Sequence, residues 1–146
     1  FTNRNGHYPQ RVVDELFGRR VLKASFAAEP EKFAEASPMD HVRADAPPFL
    51  VIHGDADTLV PVGIARDFVA ELRAVSKAPV LYLELKGAQH AFDVLPSIRG
   101  LQVVRAVDRF IASLWEAHRR GEAPEEVGAE ELAAEVDATT ADDVTA

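Results

Sequence analysis

Apolar and polar positions repeat with two different periods along this chain, and the two periods divide it into elements. After a loop over Phe1–Pro9, marked by Asn3, Asn5, Gly6 and Pro9, the residues Val12, Val13, Leu16 and Phe17 fall at helical spacing. Pro9 suits the first turn of that helix and Gly18 its stop. A short helix from about Pro30 to Ala36 and a Ser37-Pro38 turn follow. The proline-rich Ala46-Pro47-Pro48 leads into Phe49-Leu50-Val51-Ile52, ended by His53-Gly54. An uninterrupted bulky run with no polar face predicts a strand buried on both sides in a parallel sheet.

Pro61 opens the next helix, with Ile64, Ala65, Phe68, Val69, Leu72 and Val75 on one face, and Lys77-Ala78-Pro79 ends it. Val80–Leu85 predicts a second strand, closed by Lys86-Gly87, and the loop Ala88–Pro96 carries His90. Ser97 is placed to cap a helix reaching to about Arg120, with Ile98, Leu101, Val104, Val107, Ile111 and Leu114 as its expected buried stripe. Strand, helix, strand, loop, helix is the order that gives a parallel pair with a right-handed crossover. The fold class is therefore α/β.

Composition changes this picture only at the C-terminal end. The net charge of -8 is concentrated there: residues 121–146 carry nine acidic groups and no basic one, so residues 1–120, with 16 basic and 15 acidic, are close to neutral. That tail is poor in large apolar side chains and is expected to stay disordered, with at most a weak helix over Glu125–Val136. With no stripe of basic residues interleaved with aromatics, no nucleic-acid partner is expected. The absence of cysteine excludes a disulfide framework and thiolate metal sites. No apolar run approaches the roughly 20 residues of a membrane-spanning helix.

The chemistry-bearing segment is Phe49–Pro61, where a strand ends in His53-Gly54 and two carboxylates, Asp55 and Asp57, follow at its C-terminal edge. In an open α/β sheet, sites assemble at that edge. After the next strand comes Gly87-Ala88-Gln89-His90, and adjacent parallel strands bring the two loops together. There an aspartate is placed to accept the Nδ1 proton of His90, fix its tautomer and stabilise the imidazolium formed when the other nitrogen takes a proton. Alone, Asp57 would read as a helix cap and His90 as an ordinary loop histidine. Asp55 is expected to serve the turn or a hydrogen bond, and His53 to make a structural hydrogen bond. No constellation surrounds His7, His41 or His118. Tyr8, Phe92 and Leu95 are candidates for an acyl pocket but read first as core, and Tyr82 and Trp115 read as packing residues.

The pattern His53-Gly54-x-x-Asp57-x-x-Val60-Pro61, followed by Gly87-x-x-His90, resembles the C-terminal portion of α/β-hydrolase-fold enzymes. It looks closest to bacterial carboxylesterases and lipases, and is similar also to prolyl-oligopeptidase-type peptidases. The likeness covers about Ser37–Trp115. It implies a three-layer, mostly parallel sheet, of which residues 1–120 are an incomplete C-terminal part and 121–146 an acidic tail. It also implies Asp57 as the triad acid, His90 as the base, no cofactor or metal, and a small-molecule ester or lipid as substrate. The nucleophile elbow Gly-x-Ser-x-Gly and the His-Gly-Gly oxyanion loop are absent, and both belong upstream in that family.

Because the chain opens on Phe1 and its single methionine is Met39, the resemblance predicts a fragment, inactive alone, preceded by the rest of the fold. An N-terminal anchor or targeting segment would lie there, which leaves a cytoplasmic or a membrane-associated location open. Two other readings compete. Asp55-Ala56-Asp57-Thr58 resembles the start of haloacid-dehalogenase-like phosphatases, but His53-Gly54 intervenes after the strand, and the glycine expected before the threonine is missing. A non-catalytic subunit or interaction module is the other, with self-association through an exposed sheet edge as its expected sign.

Overall fold

The computed structural model describes residues 5–94 and 96–122. The expectation of a disordered tail over 121–146 thus falls, beyond Glu122, outside the described residues. Helices α1 (Gln10–Val12), α2 (Pro30–Glu35), α3 (Val62–Val75) and α4 (Ile98–Arg120) accompany two strands, β1 (Phe49–Gly54) and β2 (Val80–Leu85). The strands pair in parallel from Phe49 opposite Val80 to Gly54 opposite Leu85, as the element order predicts. This is a small parallel sheet with helices, compatible with part of an α/β fold. Among the described residues no helix is long and apolar enough to cross a membrane.

Alternation on β2 sets the layers. Leu81, Leu83 and Leu85 are buried, the first two against Ala106 and Phe110 of α4 and the third beside Val103. The alternate residues serve α3: Glu84 receives the Arg66 guanidinium at 2.8 and 2.5 Å and the Tyr82 hydroxyl at 2.9 Å. Phe49 of β1 meets Phe68 of α3 edge-on at 5.7 Å. On α3 the predicted face is buried at Ala65, Val69 and Leu72. Strand β1, expected to be buried on both sides, is only half-buried from Phe49 to His53. Among the described residues it has a neighbour on one edge alone.

Three further expectations are corrected. The buried stripe of α4 is Val103, Ala106, Phe110 and Ala117. Of the expected positions, Leu101 and Val104 are 61 % and 64 % exposed, Ile98 and Ile111 are exposed too, and Leu114 packs only at the edge of the cluster. The helix carries two apolar stripes, and Val103, Ala106 and Phe110 are the ones packed against Leu81, Leu83 and Leu85 of β2. Trp115, read as packing, lies on the outer face and is exposed.

Gly18 does not stop the first helix either. From Val13 to Leu22 the chain continues as a π-helix, ending at Lys23 with φ 52°. A Cβ on Gly18 would sit 2.9 Å from the Ala24 carbonyl oxygen, so the glycine permits the chain to fold back upon itself. Val13, Ala24 and Phe33 form a separate core there, with Tyr8, Phe17, Leu22 and Phe26 around it.

Candidate active site

The site sits at the C-terminal ends of β1 and β2, where two loops are stitched to each other. The Asp55 N–H donates to the Leu85 carbonyl at 3.1 Å and the Ala56 N–H to the Ala88 carbonyl at 3.2 Å. In return the Asp55 carboxylate accepts the Gly87 N–H at 2.6 Å. Asp55 thus serves the loop junction. Gly87 turns the chain out of β2 with φ 68°, a left-handed conformation that favours glycine. Gly54 is required for another reason: a Cβ there would lie 2.2 Å from the Ala88 carbonyl oxygen. The His-Gly pair therefore ends in a residue that lets the His90 loop cross directly over β1.

Asp57 is the best-partnered side chain of this junction and is only 5 % exposed. One carboxylate oxygen accepts the N–H groups of Leu59 and Val60 at 2.9 and 2.8 Å. The other accepts the His90 Nδ1–H at 2.9 Å. Burial is the largest single influence on its pKa and pushes it up. The Val60 N–H, the His90 imidazole and the Leu59 N–H together outweigh burial, so the carboxyl lies below the ordinary aspartate value and stays ionised.

His90 is 46 % exposed. Since an ionised carboxylate only accepts, the contact puts a proton on Nδ1 and leaves Nε2 as the basic nitrogen. The next residue, Ala91, has φ 57°, which for a non-glycine stores strain of about 1–2 kcal/mol. His53 donates from Nε2 to the Val60 carbonyl at 2.9 Å, the structural bond expected of it. The same nitrogen is 3.6 Å from Asp57 Oδ2, beyond hydrogen-bond reach.

A cleft of about 950 Å³ opens beside the pair, lined by His90, Asp57, Phe92, Val94, Leu101 and Val104 among others. Of the acyl-pocket candidates, Phe92 lines it and Leu95 lies outside the described residues. Tyr8 packs edge-on against Phe17 at 5.3 Å, and its hydroxyl donates to the Leu59 carbonyl at 3.2 Å. Burial first, then the charge of Asp57, raises its pKa.

His7, expected to stand alone, does not: its Nε2 is 2.7 Å from the Asp67 carboxylate, which also accepts from Asn5. The partner is 60 residues away in sequence, so no local pattern could have shown it. Of the other two histidines, His41 meets the Glu35 carbonyl at 2.7 Å and His118 lies against Trp115 at 5.7 Å.

Residues 4–72 match the BD-FAE family model. The chain is 47 % identical over 109 residues, 75 % of its length, to a probable carboxylic ester hydrolase, LipM, of Mycobacterium tuberculosis. It is 48 % identical over 69 % of its length to the esterase LipC and 39 % identical over 65 % to the esterase LipQ of the same organism. These matches take in 25 %, 25 % and 23 % of the relatives, so the chain spans about a quarter of their length. No solved structure gives a significant match. Across most of its length the chain resembles mycobacterial carboxylic ester hydrolases, the kind of enzyme to which its His-Gly-x-x-Asp and Gly-x-x-His patterns point.

Proposed function

We propose that this chain supplies the acid and the base of a serine carboxylic ester hydrolase, as the C-terminal part of an α/β-hydrolase domain over residues 1–120. The observation that carries the reading is the 2.9 Å contact between His90 Nδ1 and an ionised Asp57, its side chain only 5 % exposed, at the ends of two parallel strands. The names of the relatives favour an ester over a peptide bond. The separate duties of Asp55 and Asp57 disfavour a phosphatase, which needs the two carboxylates to share one site.

The serine and the oxyanion donors are expected from sequence outside these 146 residues. His90 Nε2 takes the serine proton as the hydroxyl attacks the ester carbonyl, and Asp57 stabilises the resulting imidazolium. His90 then returns that proton to the departing alcohol. Water, activated by the same nitrogen, releases the acid from the acyl-enzyme. The partly apolar cleft beside His90 suits a small ester or lipid acyl chain.

The test is p-nitrophenyl butyrate hydrolysis by the longest protein that carries this chain, comparing wild type with Asp57→Asn and His90→Ala. Each variant is expected to lose about 100-fold or more in kcat. Undiminished turnover in both would place the acid and base elsewhere and leave this segment structural.

A further inference from the structure

The hydrogen bonds around Asp57 do not end at its turn. The Leu59–Val60 peptide donates its N–H to Asp57 Oδ1 at 2.8 Å, and its carbonyl, on Leu59, accepts the Tyr8 hydroxyl at 3.2 Å. A peptide group that accepts a hydrogen bond at oxygen is polarised and donates more strongly at nitrogen. The next carbonyl, on Val60, is held by His53 Nε2 at 2.9 Å. We infer that Tyr8 is a positioning residue for Asp57, acting through the Leu59–Val60 peptide from a strap formed by residues 5–9. The inference rests on Asp57 being the triad acid.

The strap is built for the purpose at three points. Asn5 and His7 both bind Asp67 on α3, His7 at 2.7 Å. The His7 ring occupies the space over Gly63, where a Cβ would stand 2.5 Å from its Cε1, so the first turn of α3 is glycine where the strap lies down. The Tyr8 ring then rests edge-on against Phe17. Two polar anchors on Asp67 and one aromatic contact fix the hydroxyl against the Leu59 carbonyl. The titratable groups around the Asp57 carboxylate are His90, His53 and Tyr8.

The first test needs no turnover. The Asp57 carboxyl is titrated by 13C NMR in this chain and in Tyr8→Phe, which keeps the ring and removes only the donor. The expected outcome is a rise of about 0.3 in the Asp57 pKa, because the Val60 N–H becomes a weaker donor. Asp67→Ala, which unties His7 and so releases the strap while keeping Tyr8 itself, is expected to move the titration in the same direction. An unmoved titration in both variants overturns the inference.

The second test is a double-mutant cycle in the ester-hydrolysing protein. Tyr8→Phe is expected to lower kcat roughly threefold at unchanged KM, and to cause no further loss in an Asp57→Asn background. Additive losses overturn this inference and leave the triad assignment standing. A fully active Asp57→Asn removes both.

Discussion

Gly54→Ala is the substitution that most directly probes how the two loops are held. The added Cβ would lie 2.2 Å from the Ala88 carbonyl oxygen, 2.7 Å from its carbonyl carbon and 3.0 Å from its Cβ. All three are atoms of a loop that cannot swing aside as a long side chain can. Reaching ordinary contact moves that loop by about 1 Å, an overpacking that costs about 1–3 kcal/mol. The shift also breaks the 3.2 Å bond from Ala56 N–H to the Ala88 carbonyl, worth about 1 kcal/mol. Loss of glycine entropy in the unfolded chain returns about 0.4–1 kcal/mol. The net loss is about 2 kcal/mol, which for a chain of this size lowers Tm by about 6–10 °C.

The functional effect is larger than the thermal one, because His90 lies two residues beyond Ala88. A displacement of about 1 Å in a reacting group can cost about 100-fold in rate. Thermal melts of this chain and ester turnover by the protein that carries it measure the two effects. Gly87→Ala is the control: φ 68° makes alanine unfavourable there by about 1 kcal/mol, yet a Cβ meets nothing within 4 Å. A Gly54→Ala protein that melts within about 1 °C of wild type and keeps full turnover would refute the crossing contact.

The depressed pKa of Asp57 makes stability pH-dependent in acid. Its contribution is present above the unfolded aspartate value of about 3.9 and is lost as pH falls through the lower folded value. Urea midpoints should therefore fall more steeply between pH 5 and pH 2.5 for wild type than for Asp57→Asn, and parallel profiles would contradict the assignment. Among the described residues β1 and β2 each pair on one edge only, which predicts pairing with a second copy in this chain when isolated. Sedimentation velocity should show a concentration-dependent dimer, and a monodisperse monomer at about 100 µM would count against the incomplete sheet.

Much of the local architecture was legible because single periods decide it. The Leu81, Leu83 and Leu85 alternation needs one buried face, and the apolar residues of α3 lie on one stripe. The α4 helix shows where period alone fails. Val103, Ala106 and Phe110 recur at helical spacing as well as Leu101, Val104 and Ile111 do, and hydrophobicity favours the wrong set. What selects the buried set is which residues meet Leu81, Leu83 and Leu85 of β2, a tertiary contact that a hydropathy pattern does not register. Gly18 was misread for a related reason: it answers to the Ala24 carbonyl folding back, and no windowed rule registers that contact.

The candidate site shows the opposite balance. Strand ends and loop spacing point to an aspartate beside His90, the family resemblance singles out Asp57 over Asp55, and the structure adds the contacts around the pair. Gly54 admits the crossing loop, Asp55 ties it at Gly87, and the Leu59 and Val60 N–H groups hold the carboxylate. Gly54, Val60 and Gly87 are specified in the quoted motif and Asp55 falls at one of its open positions, whereas Tyr8, His7 and Asp67 lie outside it. The strap reaches the acid turn from 51 residues upstream and makes its bond to a backbone carbonyl, which has no residue identity to read. A motif records the side chains that must be of one kind. The polarisation of a peptide group by a distant hydroxyl leaves no such record, which is why the support for Asp57 had to be found in the structure.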